Sequence, residues 1–537
     1  MCGIAGIFHY KNPDCPIDRS LLTRMTRRLA HRGPDGEGFF VNGSLGLGHR
    51  RLAIVDLSAT GHQPMSTEDG SGWIVYNGEF YNHTEFRNDL AAQGYRFRGT
   101  SDTETLLYFL ANGRLPLLSN VRGIFTFAYW DAHARRLVLA RDQLGVKQLY
   151  YYDDGEKILF ASEIKALLEC CDIAREPDME AINQYLHFHL PLFERTFLRH
   201  IKQVKAGQYL EIDVNGVRAQ TYWRVDDFTP VSDSVEESVH TLKELLGTVT
   251  NEQLMADVAV GAFFSGGIDS SAIAAFAQQQ GRALQCFGVH FSNQGVIDER
   301  PYQEEAARTL GLELELITLD GSSFPDDILK LIYYQDQPVI GVAMLPMYYV
   351  SKLAAQRVKV CLGGQAADEL FGGYARYALA HPVQVLKTWF AKQQAVKADG
   401  IAPSPHTMVG GNLFKQLSDW KNVRRLIKSA FNLYDWRSRY FDHFAKIPES
   451  DWHKVFANND IVSRHRAREI FQETLEKSPA IDPADKLMHW DFQTYLTGLF
   501  HQDDRMSMAN SLESRVPFAD PRIASFAFRC GFDLKLR

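Results

Sequence analysis

The chain has 537 residues, of which 45% are hydrophobic and 23% charged, a composition typical of a soluble globular protein with two or more domains. The net charge of −7 offers no basic surface for nucleic acid, and no apolar run is long enough to span a membrane. The seven cysteines are irregularly spaced, without a zinc-binding pair or a disulfide framework, so we expect a cytoplasmic protein. The sequence leaves a homodimer open.

The first chemically notable residue is Cys2, directly after the initiator methionine. Removal of Met1 would give Cys2 both a thiol and a free α-amine. An α-amine has a pKa of about 7.7–8.0, so its neutral form can take the thiol proton. This combination predicts a nucleophile for amide cleavage. The alternative is a cysteine that is buried by chance in the first strand.

Residues 2 to about 200 show short strand patterns separated by Gly, Asn and Asp turns. The predicted strands cover residues 3–8, 45–55, 73–76, 124–130, 137–140 and 158–161, and the predicted helices cover 19–29 and 82–93. We therefore expect stacked antiparallel sheets with helices outside. Residues 230–234 form a polar stretch that predicts a linker.

From about residue 236 the pattern changes. Strand-like runs at 258–264, 284–291 and 358–362 alternate with helical runs at 270–280 and 301–310. This alternation predicts a parallel sheet with crossover helices. From about residue 382 the chain is predicted to be mostly helical.

A glycine-rich turn follows the first predicted parallel strand, where residues 264–271 are Phe-Ser-Gly-Gly-Ile-Asp-Ser-Ser. Two glycines, free N–H groups at a helix start and several hydroxyls together predict a phosphate site. A carboxylate beside phosphate implies a bridging Mg²⁺. The alternative is an ordinary turn with Asp269 as N-cap. The candidate ATP-binding residues of this turn are Ser265, Gly266, Gly267, Asp269, Ser270 and Ser271.

These two motifs together resemble the glutamine-hydrolysing asparagine synthetase family. Ordered matches occur along nearly the whole chain, at residues 31–35, 48–56, 76–82, 101–104, 140–142, 145–147, 161–165, 363–374, 504–508 and 514–518. The resemblance implies an α+β glutaminase domain of the N-terminal-nucleophile type over residues 2–205. It further implies a Rossmann-like parallel α/β ATP-pyrophosphatase domain over residues 235–537, with a helical C-terminal part.

In the first domain, the resemblance makes Cys2 the nucleophile, with the Asn77 side chain and the Gly78 N–H as oxyanion donors. The glutamine-binding residues that it implies are Arg51 for the carboxylate, Asp102 with Glu79 for the ammonium, and Asn77. The sequence leaves two alternatives open. Asn77-Gly78 is by itself a hairpin signal, and Arg51 and Asp102 could be ordinary surface charges.

In the second domain, the resemblance implies ATP and Mg²⁺, with Asp269 and Asp368 as metal ligands. Val289, Gly363 and Gly364 would contact adenine and ribose. Ammonia would pass through the interior to an acyl adenylate. The implied partners are therefore small molecules: glutamine, ATP and a carboxylate acceptor.

Three features differ from the family pattern. Gln365 occupies a position where the family often has an acid, and a glutamine cannot take a proton. Residues 336–346, expected to shape the acceptor pocket around Val342, contain no arginine for an α-carboxylate. Members usually continue beyond the position of Arg537, and that tail carries a phosphate-neutralising lysine.

These differences leave three hypotheses for the acceptor. The family default is asparagine synthesis from aspartate. The second is amidation of another carboxylate, such as a sugar acid or a biosynthetic intermediate. The third is a glutaminase with an impaired synthetase domain, which the intact phosphate turn disfavours. The lack of charge at residues 339–345 predicts poor use of aspartate, since an unpaired buried charge costs several kcal/mol.

Overall fold

The computed structural model describes residues 2–535, except 232, 283, 293–298, 323, 340, 342, 375, 378–379, 382–434, 445–446, 448–453 and 455–465. About half of the predicted helical region after residue 382 therefore lies outside the described residues. The same holds for Val342.

The first sheet has six antiparallel strands and carries the chain start. Its strand order is β10-β8-β9-β1-β3-β2. The strands are β1 (Gly3–Phe8), β2 (Gly36–Asn42), β3 (Leu45–Arg51), β8 (Tyr150–Asp153), β9 (Ile158–Ala161) and β10 (Ile201–Gln203). Since β1 is central and Gly3 pairs with Arg50, Cys2 is held at the end of a buried strand.

The second sheet is also antiparallel, with six strands in the order β12-β11-β7-β6-β5-β4. The strands are β4 (Met65–Ser66), β5 (Gly72–Phe80), β6 (Gly123–Asp131), β7 (Arg136–Arg141), β11 (Gln208–Asp213) and β12 (Gly216–Thr221). The two sheets face each other, because Ile4 and Leu47 of the first pack with Val75 and Leu139 of the second.

Helices cover the outer faces of these sheets. Leu22 and Met25 of the first helix pack against the β1 sheet, and Leu90 and Leu106 of the next two pack against the β5 sheet. The helices of this half are α1 (Arg19–Arg27), α2 (His83–Ala92), α3 (Asp102–Ala111), α4 (Ile164–Leu167) and α5 (Met179–Phe188), with 3-10 turns at Ala59–Gly61 and Leu115–Asn120. The predicted stacked sheets with outer helices are confirmed.

The second half is built on a five-stranded parallel sheet in the order β15-β14-β13-β16-β17. The strands are β13 (Val260–Phe263), β14 (Gln285–Phe291), β15 (Glu313–Leu319), β16 (Val360–Leu362) and β17 (Glu513–Arg515). The chain moves from β13 outwards to β15 and then returns to the other side of β13. The carboxyl ends of β13 and β16 therefore form a topological switch point, where open α/β sheets bind ligands.

Helices flank this sheet on both sides. The first, α6, begins with a reciprocal cap in which Ser234 accepts from the Glu237 N–H and Glu237 accepts from the Ser234 N–H. The helices of this half are α6 (Val235–Gln253), α7 (Ile268–Gln279), α8 (Arg300–Leu310), α9 (Phe324–Gln335), α10 (Met344–Ala354), α11 (Ala367–Phe371), α12 (Trp436–Phe444), α13 (Arg466–Lys477), α14 (Pro483–Gln493), α15 (Tyr495–Met508), α16 (Pro521–Arg529) and α17 (Phe532–Lys535), with a 3-10 turn at Pro517–Ala519. The predicted parallel α/β architecture is confirmed.

The two halves share a packed contact. Leu52 and Ile54, which follow β3, form one apolar cluster with Val360 of β16 and Met508 of α15. This contact brings the chain segment beside Cys2 against the parallel sheet and against the long helix α15.

Candidate active sites

Cys2 is buried beside the loop that follows β3. Its backbone N–H donates to Asn77 Oδ1 at 2.8 Å, and its thiol lies 4.0 Å from the Leu52 carbonyl. Burial raises the pKa of the Cys2 thiol. A thiol in this environment needs a base, and the nitrogen that Asn77 holds becomes the α-amine when Met1 is removed.

The Asn77 and Gly78 positions lie in the middle of β5, so Asn-Gly is not a hairpin turn here. Asn77 is fully buried, and its Nδ2 donor has no hydrogen-bond partner among the described residues. Gly78 has a φ of 154°, and a Cβ there would lie 2.1 Å from the Ile124 carbonyl oxygen. A spare buried donor beside a nucleophile is what an oxyanion site requires.

The other predicted glutamine contacts surround the same pocket. Cys2, Arg51, Gly78, Glu79 and Asp102 all line one small cavity of about 30 Å³. The structure thus brings together residues that are up to a hundred positions apart in the chain.

Arg51 and Asp102 are held in place by backbone groups. The Arg51 guanidinium donates to the Ser58 carbonyl at 2.8 Å and to the Asp56 carbonyl. Asp102 begins α3 and accepts the Phe80 N–H at 2.9 Å and the Thr103 N–H at 2.8 Å. Burial raises the pKa of Asp102 to about 6.

Glu79 introduces a contact that the sequence does not predict. Its Oε1 lies 3.3 Å from Nη2 of Arg515, a fully buried residue of β17. Burial, together with the nearby Glu513, raises the pKa of Glu79 well above its usual range. The sequence alone gives the matched segment 514–518 no role in the site. A buried arginine inside a dense motif is a weak sequence signal of function, because its role can be recognised only when its partner is known.

The phosphate turn joins β13 to α7 as predicted. Gly266 has a φ of 71°, and a Cβ there would lie 2.7 Å from the Gln303 nitrogen. Ser265 Oγ lies 3.1 Å from Ser270 Oγ and accepts the Gly267 N–H at 3.3 Å. Ser271 Oγ is buried without a partner among the described residues. The turn therefore presents hydroxyls and a helix start to one space, the arrangement of an anion site.

Asp269 and Asp368 face each other across the switch point. Burial and then the charge of Asp368 raise the pKa of Asp269 to about 6, and burial also raises the pKa of Asp368. No group of three metal-ligating side chains occurs in the described part of the chain. The pair nevertheless fits Mg²⁺, which usually takes one or two carboxylates and completes its shell with phosphate oxygens and water.

The remaining predicted nucleotide contacts lie on the neighbouring strands. Val289 is half-buried in β14, and its carbonyl accepts from Gln303 at 3.2 Å. Gly363 follows β16, and a Cβ there would lie 2.2 Å from Gln365 Oε1. A Cβ at Gly364 would lie 3.1 Å from the Asp269 Cβ, so this loop is in contact with the phosphate turn.

The predicted acceptor stretch is partly outside the described residues, including Val342. Asp336, at its start, has a φ of 69° and accepts the Ile164 and Lys165 N–H groups. Arg505 lies 3.6 Å from the same carboxylate. Asp336 therefore joins the two halves of the molecule.

A buried chain of charges runs from Cys2 into the second half of the molecule. Arg32 donates to the Cys2 carbonyl at 3.1 Å, to Glu163 at 2.9 Å and to both oxygens of Asp504 at 2.9 and 3.1 Å. Lys147 donates to the Ser514 carbonyl at 3.1 Å. Arg32 and Lys147 come from the first half and their partners Asp504 and Ser514 from the second, so the interface is polar as well as apolar.

A buried cysteine at the chain start and a glycine-rich turn on a parallel sheet are consistent with one class of protein, a glutamine amidotransferase joined to a synthetase, and two family models show that class. The family model described as a glutamine amidotransferase domain matches residues 1–223, and the one described as asparagine synthase matches residues 241–537. The chain belongs to the glutamine-hydrolysing asparagine synthetase family and is a glutamine-hydrolysing ligase.

Relatives match along nearly the whole chain. Asparagine synthetase [glutamine-hydrolyzing] 1 of Bacillus subtilis is 33% identical over 100% of this chain and 82% of its own length. Asparagine synthetase [glutamine-hydrolyzing] 3 of the same organism is 29% identical over 100% and 82%. Amidase chyE of Penicillium rubens is 28% identical over 95% of this chain and 78% of its own length. Within the described residues, no helix is long and apolar enough to cross a membrane.

Proposed function

We propose that the protein transfers the amide nitrogen of glutamine to the side-chain carboxylate of L-aspartate, with Mg²⁺–ATP as the energy source. The observation that carries this proposal is the buried connection from Cys2 through Arg32 to Asp504 of helix α15. The identity to two asparagine synthetases supports aspartate over the other carboxylates, against the poor use of aspartate that the uncharged residues 339–345 predict.

In the glutaminase half, over residues 2–205, the Cys2 α-amine takes the thiol proton and the sulfur attacks the glutamine side-chain carbonyl. Asn77 Nδ2 and the Gly78 N–H donate to the oxyanion that forms. Arg51 binds the glutamine carboxylate, and Asp102 with Glu79 binds its ammonium. Ammonia leaves, and water hydrolyses the thioester.

In the synthetase half, over residues 235–537, the acceptor carboxylate attacks the α-phosphate of ATP and pyrophosphate departs. The hydroxyls of Ser265, Ser270 and Ser271 and the start of α7 hold the pyrophosphate. Asp269 and Asp368 would hold Mg²⁺, which neutralises phosphate charge. Gly363, Gly364 and Val289 border the adenosine. Free thiols at all seven cysteines support a cytoplasmic location.

The test is pyrophosphate release from ATP with saturating ammonium chloride and Mg²⁺, for L-aspartate and a panel of other carboxylates. The expected result is aspartate-dependent release with equal asparagine formation. Release with another carboxylate alone would identify a different acceptor. Release with none of them would contradict the synthetase function.

A further inference from the structure

Two consecutive carboxylates on α15, Asp503 and Asp504, have opposite environments. Asp504 is ion-paired to Arg32, with Lys147 at 4.0 Å, and these cations hold the pKa of Asp504, despite its burial, well below its usual range. Burial raises the pKa of Asp503 to about 7. Neighbouring acids whose pKa values are pushed apart often take different chemical roles.

Asp503 contacts the phosphate-site loop directly. Its Oδ1 accepts a hydrogen bond from Gln365 Nε2 at 3.3 Å. Gln365 follows Gly364, which touches Asp269 of the phosphate turn. The other amide atom, Gln365 Oε1, is buried without a partner among the described residues. The charged and titratable groups that face Asp503 are Lys147, Asp504 and Cys361.

Amide formation requires a proton acceptor at this location. When ammonia attacks an acyl adenylate, the N–C bond forms and the nitrogen becomes positively charged. One N–H proton must leave before the C–O bond to AMP breaks, with the electron pair departing on the AMP phosphate. Gln365 cannot accept that proton, because an amide has no basic site near neutral pH.

We propose that Asp503 is the proton acceptor for amide formation. Gln365 Oε1, which has no other partner among the described residues, orients the incoming ammonia by accepting a hydrogen bond from one of its N–H groups. This inference rests on the proposed function. The proton passes to the Asp503 carboxylate, AMP leaves, and the carboxyl group then releases the proton to water.

The test separates adenylation from amide formation in the full-length protein. ATP–pyrophosphate exchange with L-aspartate, measured without ammonia, should remain within about twofold of the parent in Asp503→Asn. Asparagine formation from saturating ammonium chloride should fall at least about a hundredfold, the usual contribution of general base catalysis. Asp485→Asn is the matched control, because Asp485 is similarly buried, and burial also raises its pKa. This control should keep both activities.

A second variant distinguishes proton acceptance from a structural role. Gln365→Glu places a carboxylate beside position 503, so the double variant Q365E/D503N should regain at least about tenfold of the lost rate. Asparagine formation at the parental rate in Asp503→Asn would overturn the inference, and so would failure of the double variant to recover.

The pH profile of the parent protein is an independent measurement. The rate per neutral ammonia molecule should fall as the pH drops below about 7, where Asp503 becomes protonated. If the rate per neutral ammonia molecule does not fall below about pH 7, the inference is overturned, even if Asp503→Asn does not fold. Failure of the proposed function is distinguishable, because the parent itself would then show no aspartate-dependent exchange.

Discussion

Among single residues, Cys2 is the one that we propose carries the glutaminase chemistry. We expect Cys2→Ala to lose glutamine hydrolysis and glutamine-dependent amide formation, while ammonia still supports the synthetase half. The physical reason is that the thiol and its α-amine base are both needed at one site, and added ammonia bypasses that site. The measurement is glutamate release beside asparagine formation from each nitrogen source.

Cys15→Ala is the matched control, since Cys15 is partly exposed and lies outside the pocket. It should keep both activities. Intact mass should show that the active glutaminase begins at Cys2. An active protein that retains Met1 would contradict the assignment of the α-amine as base.

We expect Asp102, a proposed contact of the glutamine ammonium, to make glutamine binding pH-dependent. Burial holds its pKa at about 6, above the usual value, so the free protein protonates this carboxyl as the pH falls through 6. Only the ionised form attracts the substrate ammonium. We therefore expect the glutamine KM to rise roughly tenfold per pH unit below 6, with little change above pH 7. A glutamine KM that is constant between pH 5 and 7 would exclude Asp102 from ammonium binding.

Among the elements, strand β5 holds the two proposed oxyanion donors, Asn77 and Gly78, and has no room for a side chain at Gly78. In Gly78→Ala, the new Cβ would meet the Ile124 carbonyl at 2.1 Å. We expect about 3 kcal/mol of destabilisation, together with loss of glutaminase activity. Denaturant unfolding measures the first effect and glutamate release the second. Gly531→Ala should change neither, because a Cβ at that position would have no described atom within 4 Å.

Much of the architecture could be predicted from sequence, because the short strands alternate or carry clear turn residues. Helix α3 could not, since every residue from Asp102 to Leu110 is buried and no polar face marks a helical period. The predicted strand over residues 45–55 ends at Arg51, because the chain then turns to form the pocket wall. The Asn77-Gly78 pair could not be assigned to a strand or a turn without its neighbour β6.

In the molecule as a whole, the second half contacts Glu79, one of the residues that line the first pocket. Arg515 donates to the Gln253 and Met255 carbonyls at 2.7 and 2.6 Å and reaches Glu79 across the interface. No sequence pattern predicts such a long-range pair, because the two residues are separated by more than four hundred positions.

We expect Arg515→Met to lower the free energy of unfolding by about 3–5 kcal/mol, since it leaves buried carboxylates without their cation. The glutamine KM should also rise, while the ammonia-dependent rate changes less. The measurements are denaturant unfolding and steady-state kinetics with both nitrogen sources. Arg218→Met is a control, because its ion pair with Asp213 is exposed. An unchanged glutamine KM in folded Arg515→Met would show that Arg515 has no influence on the pocket.

The proposed function and the internal ammonia passage that the family resemblance implies require one chain to make ammonia at Cys2 and use it at the phosphate turn without releasing it. The most direct measurement supplies glutamine labelled with ¹⁵N at the side-chain amide, together with ATP, L-aspartate and excess unlabelled ammonium at limiting turnover. If ammonia passes internally, the asparagine should carry far more ¹⁵N label than the bulk ammonium. Asparagine labelled only to the level of the bulk ammonium would contradict it.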